Sequence, residues 1–435
     1  MAVPFALPDR RNRYDVHMVD GRPQRYSATM LLAAEAIRQG LRFEQTSSRL
    51  LSIMAPGEPA LHFRWSRVKD LSREGFLIAL DKDATARHLH SHGLPATVGV
   101  AVDADAPPRL LRRAVRQVGF PLVVKPLRGR QGIDVWPGLR RRKQFNDAWE
   151  HVRSGRFASS GIRIERHVDG VDLRILATAD DGLSAIWRRP ASVIGDARHT
   201  VEQLASHQNR ERRHNPYIAR KLIKLGPGAQ ALLAQQRLTL DAVPDEGRVV
   251  KLSETANLSQ GGESVEVTAS THPSILQLAA RVVRSIPGMP YAGVDVLVQD
   301  PSVPLARQQV VVLEVNATPD VLMHPFPVYG EPANIRTELL MAAARFYGAD
   351  LDLTPNTTES SRRVELAIKG LHDTSALVGW LGSRLKLLDL HGDLTRNGSS
   401  AIVNVQGPPE RIAMLTRRLT RARGFSVERV AARPL

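Results

Sequence analysis

The sequence predicts a protein of mixed class, α/β over most of its length and closed by a compact α+β unit. Three observations predict it. Short apolar runs that suit buried strands, such as Phe120–Lys125, alternate with amphipathic helical patterns over the first three quarters of the chain. Composition then shifts at Asp350–Ser361, where Pro355, Asn356, Thr357 and Thr358 read as a linker. Beyond the linker the order is strand, helix, strand pair, helix, strand. At 435 residues the chain is too long for one ordinary core, so several units are expected.

Residues 1–80 carry a helical pattern at Met30–Gln39 (Leu32, Ala33, Ala36, Ile37) and a strand-like stretch, Leu61–Trp65, after the turn-rich Pro56-Gly57-Glu58-Pro59. They read as a small α/β unit. Asp81 precedes an amphipathic helix that stops at Gly93-Leu94-Pro95, and Ala106-Pro107-Pro108 starts another that runs to Val118-Gly119. From Ile162 to Ala177 two strand-like runs flank a turn at Asp169-Gly170. An arginine-rich polar stretch, about 198–221, reads as loops and a surface helix, and Val249–Glu266 contains a loop rich in small residues. Pro273–Ser285 predicts a helix, and Gly293–Val298 and Gln309–Val315 predict strands joined across Pro301–Pro304. After the linker, strands at Val364–Ile368 and Ser426–Val430, helices at Ser375–Lys386 and Glu410–Ala422, and a hairpin around Arg396-Asn397-Gly398 complete the α+β unit.

Hydrophobic content of 43% and charged content of 24% are those of a folded globular protein. No apolar run approaches the roughly 18 residues of a membrane span, and Met1–Asp20 lacks the pattern of a signal peptide. The absence of cysteine excludes disulfides, thiolate metal sites and a cysteine nucleophile. Together these predict a cytoplasmic protein with no membrane partner. The net charge of +16 raises a polyanion as partner. Against nucleic acid as the main partner, the arginines are spread along the chain without a long basic tail, and only 5% of residues are aromatic. Lysines are few, so their positions are informative.

Asp295 lies on one predicted strand, and Glu314 and Asn316 lie on the next, two apart and therefore on one face. If the strands pair, three oxygen-bearing side chains meet, a set that suits Mg²⁺ with nucleotide phosphates. Read alone, the same residues could be edge polar groups. Lys125 ends a buried run and precedes a loop with two glycines, Gly129 and Gly132, which can set positive charge and backbone N–H groups around phosphates. A plain turn is the alternative. Lys82, at a helix start, is a second phosphate cation or an ordinary first-turn lysine.

The order of these pieces resembles the ATP-grasp superfamily. It comprises Asp81-Lys82-x-x-Thr85, then Val123-Val124-Lys125-Pro126 with its glycine loop, then Glu165-Arg166-His167-Val168-x-Gly170-x-Asp172. Gly293-Val294-Asp295-Val296 and Glu314-Val315-Asn316-Ala317-x-Pro319 come next. Within it, Arg189-Pro190-Ala191-x-Val193-x-Gly195-Asp196 with Thr200, and Ala256-Asn257-Leu258-Ser259-x-Gly261-Gly262, resemble the ligase domain of cyanophycin synthetases and of bifunctional glutathione-synthesising enzymes. The resemblance spans about residues 30–345 and implies a pre-ATP-grasp unit at 1–80 and an ATP-grasp domain at 81–350, with 351–361 as linker.

By that resemblance Lys82 and Lys125 hold the ATP phosphates and the loop Arg128–Gly132 closes over them. Glu165 accepts from the adenine amino group, His167 and Val168 give main-chain contacts to adenine, and Asp172 binds the ribose. Asp295, Glu314 and Asn316 bind two Mg²⁺ ions, for which Mn²⁺ can substitute. Arg174, Arg189 and the Asn257–Gly262 loop are candidates for holding the acid or an acyl phosphate; a plain salt bridge is the alternative for each arginine. The implied activity is an ADP-forming ligase that joins a small-molecule carboxylate to an amine such as an amino acid. The phosphate loop departs from the family in Arg130-Gln131, and His167 stands where an aromatic or aliphatic residue is common.

Residues 362–435 resemble an acylphosphatase, a ferredoxin-like fold, through Gly370, Leu390-x-Gly392 and Val405-x-Gly407-Pro408. Val378 falls where that family's phosphate-binding arginine would be, so a docking or regulatory role, or a contact in a homo-oligomer, is expected rather than activity. The competing reading of the whole chain is a basic nucleotide-binding scaffold, or a polyanion-binding protein, without ligase activity. No Mur-ligase-like second half with its own P-loop is present in the sequence.

Overall fold

The computed structural model describes residues 11–16, 18–19, 22–23, 26–129, 133–354, 361–371, 374–422 and 425–435. In chain order a two-strand hairpin, β1 (Met18–Val19) and β2 (Arg22–Pro23), leads to α1 (Ala28–Arg38). Ser27 caps α1 by accepting from the Met30 amide at 3.3 Å. Strands β3 (Arg42–Ser47), β4 (Leu50–Met54), β5 (Leu61–Arg64) and β6 (Arg67–Val68) come next. Helices α2 (Arg73–Leu80) and α3 (Lys82–Ser91) meet at Asp81, whose carboxylate accepts from the Asp83 and Ala84 amides at 3.0 Å and starts α3.

The middle of the chain runs β7 (Gly99–Val102), α4 (Pro108–Val118), β8 (Leu122–Pro126), β9 (Trp136–Leu139), α5 (Arg142–Arg153) and β10 (Ile162–Arg166). Next come β11 (Val171–Thr178), β12 (Gly182–Arg189), β13 (Ser192–Ile194), α6 (Val201–Arg212), α7 (Pro227–Gln235), β14 (Val249–Lys251) and β15 (Glu263–Glu266). Helix α8 (Pro273–Ser285) and strands β16 (Tyr291–Val298) and β17 (Val310–Asn316) end this part. The last elements are α9 (Arg336–Tyr347), β18 (Arg362–Lys369), α10 (Thr374–Leu387), β19 (His391–Asn397), β20 (Ser400–Gly407), α11 (Pro409–Leu419) and β21 (Arg429–Pro434).

The chain divides into two compact units. One is drawn from the described residues up to Tyr14, from Ser72–Ala317 and from Phe326–Pro332. It holds a four-stranded sheet of order β7-β10-β8-β9 and a five-stranded sheet of order β15-β12-β11-β16-β17, with the short pair β13-β14 beside them. Phe145, Trp149 and Val152 of α5 and Val118 of α4 pack on Leu122, Val124, Ile162 and Ile164 to make the core of the four-stranded sheet. A second cluster, Val193, Val201, Leu233, Val250 and Leu252, closes α6 and α7 over β13-β14.

The other unit, Asp15–Leu71 with Thr318–Pro325 and Ala333–Leu435, is built on an eight-stranded sheet of order β19-β20-β18-β21-β3-β4-β5-β6. This corrects the division read from the sequence. Residues 1–80 and 362–435 were expected to be separate units, yet β21 pairs antiparallel with β3 through Val430↔Gln45, Ala431↔Glu44 and Ala432↔Phe43. Local composition sees no partner so distant in the chain. The C-terminal part alone runs β18-α10-β19-β20-α11-β21 with neighbours β21-β18-β20-β19, all antiparallel. Most of the expected linker, residues 355–360, lies outside the described residues, as do residues 372 and 373. The segment Ile162–Ala177 forms the two strand-like runs expected of it, β10 and β11, on either side of Asp169-Gly170. Its two strands do not pair with each other; β10 joins β7 and β8, while β11 joins β12 and β16.

Candidate active site

In the four-stranded sheet Lys125, near the end of β8, is buried opposite Arg163 of β10. Its Nζ lies 2.5 Å from Glu165 Oε1, and the other carboxylate oxygen, Oε2, accepts from Arg163 Nε at 3.1 Å. Burial alone would raise the Glu165 carboxyl, but Lys125 and Arg163 hold it below the usual carboxylate range. Arg163 also donates to Asp83 of α3 and to the Thr97 carbonyl at 3.1 Å. Gly99 of β7 makes this possible. A Cβ there would sit 2.7 Å from the Glu165 Cβ. The group expected to read adenine is thus already held by two cations.

His167 donates its main-chain N–H to the Pro121 carbonyl at 2.9 Å, so a main-chain contact from it to a nucleotide would use its own carbonyl. Its ring Nε2 lies 3.1 Å from Asp169, and Val168 is half-buried between β10 and β11. Lys82, the first residue of α3, does what neither motif alone could indicate. Its Nζ donates to the Gly129 carbonyl at 3.2 Å and lies 3.5 Å from Glu314 Oε2. It therefore joins the glycine loop to the expected metal carboxylates. Gly132 of that loop, with Arg130 and Gln131, lies outside the described residues.

On the five-stranded sheet, register fixes the rest. Arg174 of β11 stands directly opposite Asp295 of β16, Asp295 opposite Glu314 of β17, and Gly293 opposite Asn316. Arg174 embraces Asp295 with Nε on Oδ1 and Nη2 on Oδ2, the latter at 3.0 Å. Asn316 Nδ2 reaches Glu314 Oε1 at 3.3 Å and the Gly293 carbonyl at 3.4 Å. Arg188 of β12 bridges Asp172 at 2.5 Å and Asp295 at 3.0 Å. Asp172, expected on the ribose, is therefore engaged by a guanidinium. Burial and the neighbouring Glu314 push the Asp295 carboxyl up, against Arg174 and Arg188. Glu314 is drawn the other way, to about 2, because Lys82 foremost and the arginines outweigh its own burial.

The three expected metal residues are brought together. Among the described residues no group of three or more His, Asp or Glu could hold a metal, and this set is instead two carboxylates and an amide. Its hard oxygen donors on paired strands fit Mg²⁺ in kind, with the Asp295 oxygens also shared by Arg174 and Arg188.

Arg189 does not join that face. Strand alternation turns it away from Arg188, stacks it 5.4 Å from the Trp187 ring and pairs it with buried Glu263 at 3.2 Å. Glu263 also accepts from Gln208 at 2.6 Å and from Arg11. Asn257 opens the small-residue loop. Its Oδ1 accepts from the Ser259 amide at 2.9 Å and the Ser259 hydroxyl at 2.6 Å. Arg188 and Arg163 are the site residues that sequence reasoning missed. A parity count from Arg174 through the β11–β12 turn would have picked Arg188 over Arg189; nothing local marks Arg163.

A glycine loop, two lysines and paired-strand carboxylates on two antiparallel sheets define the ATP-grasp fold. The comparisons give the nearer kin. Over 348 residues the chain is 31% identical to the cyanophycin synthetase of Trichormus variabilis, a match covering 79% of this chain and 36% of that protein. It is 25% identical over 311 residues to a glutathione biosynthesis bifunctional protein of Clostridium perfringens, covering 70% of this chain and 39% of that one. The crystal structure of a bifunctional glutathione synthetase from Pasteurella multocida superposes with a TM-score of 0.56 at 23% identity, over 73% of this chain and 43% of that one, and shares its fold. No protein-family model matches the chain. The chain spans less than half the length of each of these relatives. The resemblance of the motifs to the ligase domain of cyanophycin synthetases and bifunctional glutathione-synthesising enzymes is borne out.

Proposed function

We propose that this chain is an ATP-dependent ligase that activates a carboxylate as an acyl phosphate and joins it to an amine, releasing ADP and phosphate. The observation that carries the reading is Lys82, whose ammonium touches both the glycine loop and Glu314. A group so placed can bind phosphate oxygens between the loop and the carboxylate pair. Lys125 supplies a second cation on the same chain segment as that loop, oriented by Glu165.

In the proposed reaction a carboxylate oxygen attacks the γ-phosphorus and the bond to the β,γ-bridging oxygen breaks, leaving ADP. The amine then attacks the acyl carbon and phosphate departs, with one amine proton lost. Two anions must approach in the first step, and cations fixed in a low-dielectric site reduce that repulsion without reorganising. Arg174 and Arg188 hold Asp295 in place and line the same sheet face with positive charge. Mg²⁺ held by Asp295, Glu314 and Asn316 would neutralise and align the phosphates. Glu165, His167, Val168 and Asp172 are proposed for the nucleoside, which requires Asp172 to share its oxygens with Arg188. Amino acids or short peptides are the proposed substrates, and residues 362–435 an acylphosphatase-like docking element, with Val378 half exposed where an arginine would act.

The test is a panel of amino acids scored for phosphate release with ATP and Mg²⁺, with mass spectrometry of any product. Glu314→Gln is expected to lower turnover at least ~100-fold while the chain still folds cooperatively. Phosphate release at the unmodified rate in that variant would sink the proposal.

A further inference from the structure

Arg212, the last residue of α6, is 1% exposed, and its guanidinium meets only main-chain oxygen in its hydrogen bonds among the described residues. Nε and Nη2 donate to the Lys221 carbonyl at 2.9 and 2.6 Å. Nη1 donates to the carbonyls of Gly261 and Gly262, both at 3.0 Å, and Nη2 reaches the Leu258 carbonyl at 3.4 Å. Three carbonyls of one short loop thus converge on a single cation. Burial pushes this guanidinium down to about 10, so its position is maintained at a cost in desolvation.

Asn257 and Ser259 tie the start of the loop, but its last two residues, Gly261 and Gly262, have no room for side chains. Gly261 sits at φ +95°, and a Cβ there would meet the Ile223 backbone at 2.9 Å. A Cβ on Gly262 would lie 2.8 Å from the Arg189 and Asn257 carbonyl oxygens. With side chains excluded at these two positions, the guanidinium supplies the hold that packing would otherwise give. Asn209, three residues earlier on the helix, fixes the segment that flanks the loop by exchanging bonds with the Ile223 main chain at 2.8 and 3.1 Å.

We infer that Arg212 is a positioning residue: it sets the conformation of the Asn257–Gly262 loop and through it the placement of the acid substrate, an inference that rests on the ligase reading above. Lysine, with three donors on a point charge, cannot replace a planar fork that serves four carbonyls. A small residue leaves a cavity that free guanidinium ion can enter.

The experiment compares the full chain with Arg212→Lys and Arg212→Gly, the latter with and without added guanidinium. Amide hydrogen exchange is expected to rise in residues 257–262 of both variants while β16 and β17 keep their protection, and guanidinium is expected to restore it in Arg212→Gly. With the acid and amine found by the panel, kcat/KM for the acid is expected to fall about 100-fold, the scale of a misplacement near 1 Å, while the KM for ATP stays within about twofold. Unchanged loop exchange overturns the proposal. So does a parallel loss of nucleotide binding, melting temperature and turnover that guanidinium does not reverse. If the unmodified chain turns over no acid–amine pair, the ligase reading fails, and the loop exchange alone then decides what Arg212 does.

Discussion

At the scale of single residues, the site is a set of buried charges whose partners determine what each can do. Lys125→Ala leaves Glu165 with one cation instead of two, and breaking a buried ion pair costs about 3 kcal/mol. The denaturation midpoint should fall accordingly. The sign of the pH effect is set by Glu165 being held below its ordinary value of 4.5. Its contribution is present above that value and lost as pH falls through the depressed pKa, so in Lys125→Ala the acid-side loss should begin at higher pH. Arg188 and Arg189 are adjacent yet should behave differently. Arg188→Gln removes a cation from the face of Asp172 and Asp295 and is expected to cut kcat/KM about 100-fold. Arg189→Gln takes one donor from buried Glu263 and should show mainly as lower stability, by about 1–3 kcal/mol in urea titration. Equal kinetic effects of the two would refute the assignment of faces.

At the scale of elements, helices and hairpins whose signals are local were legible in the sequence. Pro273 starts α8 where expected, Asp81 caps α3, and β16 and β17 pair across Pro301–Pro304 so that Asp295 faces Glu314. The two strands expected on either side of Asp169-Gly170 form, but their assignment to different sheets had no signal, because a turn reports a change of direction and not which strands hydrogen-bond. Motif order points to Arg189 and not to Arg188 because it carries no parity. The bond from Lys82 to the glycine loop crosses 47 residues and had no sequence signature. Gly99 was equally silent, since its value lies in what stands across the ladder. Gly99→Ala would force a Cβ to within 2.7 Å of Glu165 Cβ and the Ile164 carbonyl. We expect a loss of about 1–3 kcal/mol, read as a lower melting temperature, together with weaker nucleotide binding.

For the molecule as a whole, the sheet shared by residues 42–68 and 362–434 is the feature least visible from sequence. The composition at 350–361 reads as a linker to a separate C-terminal α+β unit, a division that would let that unit be removed without touching the rest. The structure predicts the reverse. A chain ending at 361 leaves β3 with its edge groups unpaired and is expected to aggregate or to be digested within residues 42–68, as gel filtration and limited proteolysis would reveal. A monodisperse, protease-resistant truncated chain would contradict this.

That sheet also imposes a schedule on biosynthesis. β3 leaves the ribosome roughly 380 residues before β21, an interval of about 20–80 s at ordinary translation speeds. During that time an open strand edge waits for a partner not yet made, while the elements proposed to carry nucleotide chemistry emerge one after another in between.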